Sequence, residues 1–393
     1  MLTALKEQPA DKILALVQMY REDPRDTKVD LGVGVYKNAE GVTPVMRAVK
    51  AAEEKIWASQ TTKAYTGLAG DPAYSEALSK LVLGGARDAD RLAAIATPGG
   101  TGAVRQALEL TKFSGAPATV WVSDPTWPNH LSILKHLGVP FKTYRYFDRA
   151  TGVLDFGAMM ADLDSVKPGD LVLLHGCCHN PSGANPSIEE WGQIADLLIA
   201  KGAIPFVDVA YQGFGDGLEE DAAGIRLLAE RVPEMMIAAS CSKNFGIYRE
   251  RTGLLMAMTA DAGSKALVQG NLNHLNRQNY SFPPDHGARI VSTILTDDAL
   301  RADWASELED VRLGMLDLRT ALATELRQRT NSDTYDFVGE HRGMFSLLGV
   351  SPEQVVRMRE DHAIYMVADS RINIAGLNAA KVPILAEALV ATS

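Results

Sequence analysis

Several protein classes are excluded by what this 393-residue chain lacks. It has only three cysteines, Cys177, Cys178 and Cys241, one pair adjacent and none at metal-ligand spacing, so neither a disulfide framework nor a metal site is expected and a reducing cytoplasm fits. Positive charge is in deficit: 39 Lys and Arg against 49 Asp and Glu leave a formal net charge of -10. With no basic block anywhere, a nucleic-acid partner is not expected, because neutralising phosphates takes clustered cations. No apolar run reaches transmembrane length, and the N-terminal stretch MLTALKEQPADKILALVQMYRED carries acids and no uninterrupted apolar segment, unlike a signal peptide. A soluble, unanchored protein without a membrane partner is expected. Internal repeats and low-complexity tracts are also missing.

What is present reads as an enzyme-sized globular protein: 46% of residues are hydrophobic and 22% charged, and the length exceeds what one hydrophobic core usually organises. Asp11 can cap a helix whose apolar positions Ile13, Leu14, Val17 and Tyr20 recur at helical spacing until Pro24 stops it. From about residue 95 to 260, the β-branched runs ATVWVSDP, TYRYF, LVLLHGCC, IPFVDVAY, MMIAASCS and GLLMAMT alternate with amphipathic helical stretches. That alternation predicts parallel strands with helical crossovers, and runs that are apolar throughout suit strands covered on both faces. Leu300, Trp304, Leu308, Val311, Met315, Leu318, Leu322 and Leu326 repeat every three or four positions, which predicts one long helix of about 27 residues and roughly 40 Å. A smaller α+β segment follows, with GMFSLLGV and RINIAGL as strands and VPILAEALV as the closing helix.

The stretch with most chemistry is SCSKNFGIYRER, residues 240–251, at the end of the apolar strand MMIAAS, where open α/β sheets place their ligands. A lone lysine is ordinarily a solvated charge. Lys243, however, is flanked by the hydroxyls of Ser240 and Ser242 and followed by Arg251, so an amine able to form an imine lies near groups able to hold a phosphate. In TPGGTGAVRQALEL, residues 97–110, a glycine-rich turn opens a helix and would face backbone N–H groups toward an anion. In FVDVAYQGFG, Asp208 and Tyr211 follow a buried strand, and a buried carboxylate needs a cation; taken alone, the pair also reads as a helix cap with a core tyrosine. HGCCHNPSG contains the Asn180–Pro181 turn, and SDPTWPNH offers Trp127, as core packing or as a plane to stack on a ring.

SCSKNFGIYRER, HGCCHNPSG, DVAYQGF, TPGGTGA and SDPTWPNH, with LGVGVYK, NRQNYSFPP and SRINIAGL, resemble the class I aminotransferases, nearest to the aspartate and aromatic amino-acid subgroup, over nearly the whole chain. The resemblance implies a pyridoxal 5'-phosphate enzyme of fold type I, with a mostly parallel sheet sandwiched by helices plus a smaller α+β domain. Its implied divisions are an arm over 1–10, a small domain over 11–43 and 311–393, and a large cofactor domain over 44–310. It implies that Lys243 is the imine lysine and the base acting between the substrate α-carbon and the cofactor. Asp208 would pair with the pyridinium nitrogen, and Tyr211 and Asn180 would hydrogen-bond the ring oxygen. Trp127 would stack on the ring. Gly100, Thr101, Ser240, Ser242 and Arg251 would hold the phosphate, joined by Tyr65 from a second subunit. Arg371 would pair with the substrate α-carboxylate, Gly34 would line the mouth, and Arg277 of the neighbour would meet a side-chain carboxylate. The implied assembly is a homodimer with shared sites, acting on amino acids and 2-oxo acids.

Aspartate-specific members carry Asn where this chain has Phe282 and a polar residue where it has Ala64, whereas Lys37 and Thr43 follow the aspartate pattern. Such a pocket solvates a carboxylate less well and suits rings, so an aromatic amino-acid aminotransferase that still takes dicarboxylates is expected, with a plain aspartate aminotransferase as the alternative. A nicotinamide oxidoreductase is the rival of another class, because Gly100-x-Gly102 follows a strand and Asp124 lies at a plausible distance; it fails at Arg105, where its third glycine belongs.

Overall fold

The computed structural model describes residues 1–7, 12–115 and 118–392. Seven strands form one sheet: β1 (Leu92–Pro98), β2 (Val120–Asp124), β3 (Phe141–Arg145), β4 (Leu171–His175), β5 (Ile204–Val209), β6 (Met235–Ser240) and β7 (Thr252–Met258). Their spatial order is β1-β7-β6-β5-β4-β2-β3. The pairings β3–β2–β4–β5–β6 are parallel, whereas β7 runs antiparallel to both β6 and β1. The sheet is mostly parallel, as expected, and GLLMAMT, read among the parallel runs, is an antiparallel exception. The cause is the connection: residues 241–251 form no helix, and so short a link can only return the chain antiparallel. Every residue of β4, β6 and β7 is buried, as strands covered on both faces require.

Four helices matter for the site: α1 (Gly99–Phe113), α2 (Pro128–Leu137), α3 (Ala262–Asn279) and α4 (Asp298–Thr330). The expected long helix is α4, extended to 33 residues by the Asp297 side chain, which accepts from the N–H groups of Ala299 and Leu300, and ended by Asn331 in the left-handed conformation. Trp304, Leu308 and Met315 of α4 belong to one apolar core, with the sheet; Leu322 and Leu326 belong to a second, with Val29, Leu31, Ile372 and Leu385. GMFSLLGV and RINIAGL supply the antiparallel pair Phe345–Leu347 and Arg371–Asn373, and the closing helix is Val382–Thr392.

The first helix spans Lys12–Glu22; Asp11, its expected cap, lies outside the described residues. Its buried residue is Leu16, and Leu14, expected in the apolar stripe, is exposed. Ile13, Leu16, Val17 and Tyr20 keep the helical phase that Leu14 breaks. Among the described residues, no helix is long and apolar enough to cross a membrane.

Candidate active site

The carboxyl ends of β4, β5 and β6 and the start of α1 converge on a cavity of about 570 Å³, counting its open mouth. Its lining includes ten residues expected from the sequence: Gly100, Thr101, Trp127, Asn180, Asp208, Tyr211, Ser240, Ser242, Lys243 and Arg251. His175 and Ala210 complete it.

One end is built for an anion. The 15-residue helix α1 begins at Gly99 directly beneath the cavity, so its first N–H groups lack intrahelical partners. Gly99 has φ +70°, and a Cβ there would stand 2.6 Å from the Arg251 guanidinium; one at Gly100 would stand 2.9 Å from Cβ of Ser240. The glycines thus let Ser240 and Arg251 close over the helix terminus. Arg251, itself at φ +52°, donates to the Tyr248 carbonyl at 3.3 Å and, at 3.5 Å, to Ser242 Oγ.

The other end holds Asp208, paired in register with His175 on the neighbouring strand. His130 Nε2 lies 2.8 Å from Asp208 Oδ2, and His130 Nδ1 lies 2.9 Å from Thr126 Oγ1, which is 3.3 Å from His175 Nε2. The Asn180 N–H donates to His175 Nδ1 at 3.4 Å. One set of senses satisfies every member: Asn180 to His175, His175 to Thr126, Thr126 to His130, His130 to the carboxylate, with both histidines neutral. Burial lowers the His175 pKa to about 3, which keeps that ring neutral. Burial alone would raise the Asp208 pKa. The hydrogen bond that His130 donates, with the positive charge of Lys243, outweighs it, so Asp208 is held below the ordinary carboxylate value and stays ionised.

Between the two ends, Lys243 Nζ sits 4.8 Å from the Tyr211 ring centroid. Burial lowers its pKa to about 8, against the pull of Asp208 and with help from Arg251. Tyr211 accepts from Asn180 Nδ2 at 3.3 Å, and burial pushes its phenol well up, so it remains a donor. Asn180 Oδ1 is buried without a partner.

Four expected residues do not line this cavity. Arg371 is buried beside it, its guanidinium 4.5 Å over the Phe345 ring and its Nη2 donating to the Gly32 carbonyl at 2.8 Å, while Nε has no partner. Gly34 approaches the same ring: a Cβ there would lie 3.0 Å from Phe345 Cζ. Tyr65 is 85% exposed and Arg277 is exposed as well, so neither completes the pocket of its own chain. Lys37 pairs with Asp30 at 2.8 Å. Cys177, Cys178 and Asp221 lie together buried, a cluster that no spacing in the chain announces; Asp221 accepts N–H bonds from Gly213, Gly215 and Asp216.

His130 and His175 are the residues that sequence reasoning missed. Both lie inside quoted motifs, SDPTWPNH and HGCCHNPSG, but a histidine shows its role only through what it touches. The donor set fits pyridoxal 5'-phosphate: an anion cradle at one end, a carboxylate held ionised at the other, a lysine of lowered pKa between them, and an Asn180 oxygen still without a donor.

Relatives agree with this fit. The sequence pattern of the family described as Aminotransferase class I and II matches residues 26–389. An aromatic-amino-acid aminotransferase of Paracoccus denitrificans is 60% identical over 390 residues, 99% of each chain. An aspartate aminotransferase of Escherichia coli K12 is 42% identical over 98% of each chain. A solved aromatic-amino-acid aminotransferase from Burkholderia pseudomallei, covalently bound to pyridoxal phosphate, superposes with a TM-score of 0.97 at 36% identity, covering 100% of this chain and 99% of its own. With the anion cradle, the ionised carboxylate and the lysine arranged as that cofactor requires, this chain belongs to the class I and II aminotransferases and is a pyridoxal-phosphate-dependent transaminase.

Proposed function

We propose that this transaminase moves the amino group of aromatic amino acids, and of aspartate and glutamate, to 2-oxoglutarate, as a cytoplasmic homodimer whose two sites are each built from both subunits. One observation carries the aromatic preference. Phe282 stacks on Tyr65 with centroids 4.8 Å apart and planes at 17°, and the Arg277 guanidinium lies 5.8 Å over the Phe282 ring, so Arg277 and Phe282, assigned to the substrate side chain, make one aromatic surface bearing a cation with Tyr65, assigned to the phosphate. The exposure of Tyr65 and Arg277 in their own chain supports a site shared with a second copy. The free cysteines are in keeping with a reducing compartment.

In this reading Lys243 would hold the cofactor through its amine and, once the incoming substrate amine has displaced it, the freed neutral amine would take the proton from the substrate α-carbon. Pyridoxal phosphate, when bound, supplies an electron-withdrawing ring that accepts the electron pair left on that carbon. Asp208 keeps the ring nitrogen protonated, and the His130–Thr126–His175 chain keeps Asp208 ionised and oriented. Tyr211 and Asn180 bind the ring oxygen, Trp127 covers the ring face, and Gly100, Thr101, Ser240, Ser242 and Arg251, with Tyr65 from the second copy, hold the phosphate. Arg371, with its unpartnered Nε, takes the substrate α-carboxylate, and Gly34 leaves room at the mouth. The two apolar cores sharing α4 support a small domain over 11–43 and 311–393 and a large one over 44–310, after an N-terminal arm over 1–10.

Arg277→Leu tests the side-chain assignment. Efficiency toward aspartate and glutamate is expected to fall by about 2 to 5 kcal/mol of transition-state binding, the cost of leaving a buried carboxylate unpaired. Phenylalanine and tyrosine are expected to change little, whereas Arg371→Leu is expected to damage both classes alike, since every donor presents the same α-carboxylate. The measurement is kcat/KM for phenylalanine, tyrosine and aspartate with 2-oxoglutarate. Equal losses in Arg277→Leu would remove Arg277 from the side-chain pocket. Negligible aromatic activity in the unmodified protein would instead favour the aspartate enzyme, the reading that Lys37 and Thr43 support.

Subunit mixing tests the shared site. Lys243→Ala and Arg277→Ala protomers are each poor with aspartate, but their heterodimer holds one pocket with both defects and one with neither. Aspartate turnover is therefore expected to recover on mixing, and a mixture no better than its components would assign Arg277 to its own subunit's site.

A further inference from the structure

Asn276 is fully buried on the last turns of α3, one residue before Arg277, and all four of its side-chain bonding positions are used. Nδ2 donates to the Leu68 carbonyl at 2.7 Å and to the Ala96 carbonyl of β1 at 3.2 Å. Oδ1 accepts from Gln106 Nε2 of α1 and from the Tyr280 hydroxyl. Gln106 Nε2 also reaches the Tyr280 hydroxyl at 3.0 Å. One amide therefore ties the end of α3 to three segments that lie 170 to 208 positions earlier: the loop carrying Tyr65, strand β1 and helix α1.

The tie is tight. Ala96 N–H donates to the Ala69 carbonyl at 2.9 Å, and Gly70, at φ +88°, lets the loop approach so closely that a Cβ there would stand 2.6 Å from Cβ of Ala96. Arg277 in turn donates to Ser281 Oγ at 2.6 Å and lies over Phe282, which stacks on Tyr65. An apolar pair could fill the same space, and replacing both partners of a buried hydrogen bond by apolar groups is often nearly neutral for stability. What a polar pair adds is direction, because each bond is lost if the segments shift by an ångström or so.

We propose that Asn276, supported by Gln106, is a positioning residue for substrate-side-chain selectivity: it fixes Arg277, Phe282 and Tyr65 on the body of their own subunit, from which Arg277 and Tyr65 reach the neighbour's site. The inference rests on the assignment of Arg277 to the side-chain pocket.

The test is Asn276→Ala in the full-length enzyme, alone and combined with Arg277→Leu, with kcat/KM measured for aspartate and phenylalanine. Asn276→Ala is expected to lower the aspartate-to-phenylalanine ratio by about tenfold, and to lower it no further when Arg277 is already leucine, as residues acting through one another are non-additive. Gln106→Leu, which leaves the bonds to Leu68 and Ala96 in place, is expected to shift the ratio in the same direction by less, and it decides the matter if Asn276→Ala does not fold. Equal losses for both substrates, or full additivity with Arg277→Leu, would reduce Asn276 to core packing and overturn the inference. If Arg277→Leu itself leaves the ratio unchanged, the pocket assignment fails; if it lowers the ratio and the Asn276 and Gln106 variants do not, this inference alone fails.

Discussion

Lys243→Ala will lose multiple turnover, by at least about four orders of magnitude, because on the proposed assignment it removes both the attachment of the cofactor and the base. The fold and the hold on the phosphate are expected to survive, since the residues proposed for the cradle, Gly100, Thr101, Ser240, Ser242 and Arg251, line the cavity beside Lys243 and are left in place. The physical root is the lysine's setting. Burial brings its pKa from 10.5 to about 8, so at pH 8 about half of the amine is neutral, against roughly three parts in a thousand for an ordinary lysine. A small primary amine added to the variant is expected to restore part of the proton-transfer rate, more so as pH rises through the amine's own pKa. The decisive measurement is steady-state turnover with and without that amine; near-normal turnover in its absence would dismiss Lys243 from the role.

Asp208→Ala carries the second largest effect: the cofactor is expected to bind, and removal of the α-proton to slow by about three orders of magnitude or more. An unprotonated ring is a poor electron acceptor, and among the described residues Asp208 is the carboxylate that lines the cavity. Single-turnover kinetics with an α-deuterated donor isolate that step. An unchanged rate and isotope effect would take Asp208 out of the site. His130→Phe, which leaves Asp208 in place without its 2.8 Å partner, is expected to give a smaller loss of the same kind, because the carboxylate then loses the hydrogen bond that keeps it ionised.

The chemistry was legible in the sequence wherever one short segment carries both the reactive group and its setting. Lys243 between two serines is such a case, as are the glycine turn at 99–102 and Asp208 at the end of an apolar strand. Partnerships made in space were not legible. His130 and Asp208 are 78 positions apart and Gln106 and Asn276 are 170 apart, and no pattern within either segment states that they touch. The strand periodicity was right for GLLMAMT, but its direction depends on the length of the preceding loop, which composition does not encode. At Leu14 the apolar count was right and the phase wrong, a choice that only the surface it packs against can make.

The unbroken helix α4 ties the thermal fate of the two apolar cores together. For one core to melt alone, α4 would have to stop between Met315 and Leu322, creating two new ends with up to four unpaired N–H groups and four unpaired carbonyls in the middle of the molecule. The helix has no proline to make such a break cheap; its weakest point is Gly314, where the handover from one core to the other begins and where the helical conformation is disfavoured by about 1 kcal/mol relative to alanine. The two halves are thus expected to melt together in one calorimetric transition, with Gly314 as a point of weaker helix just ahead of that interval.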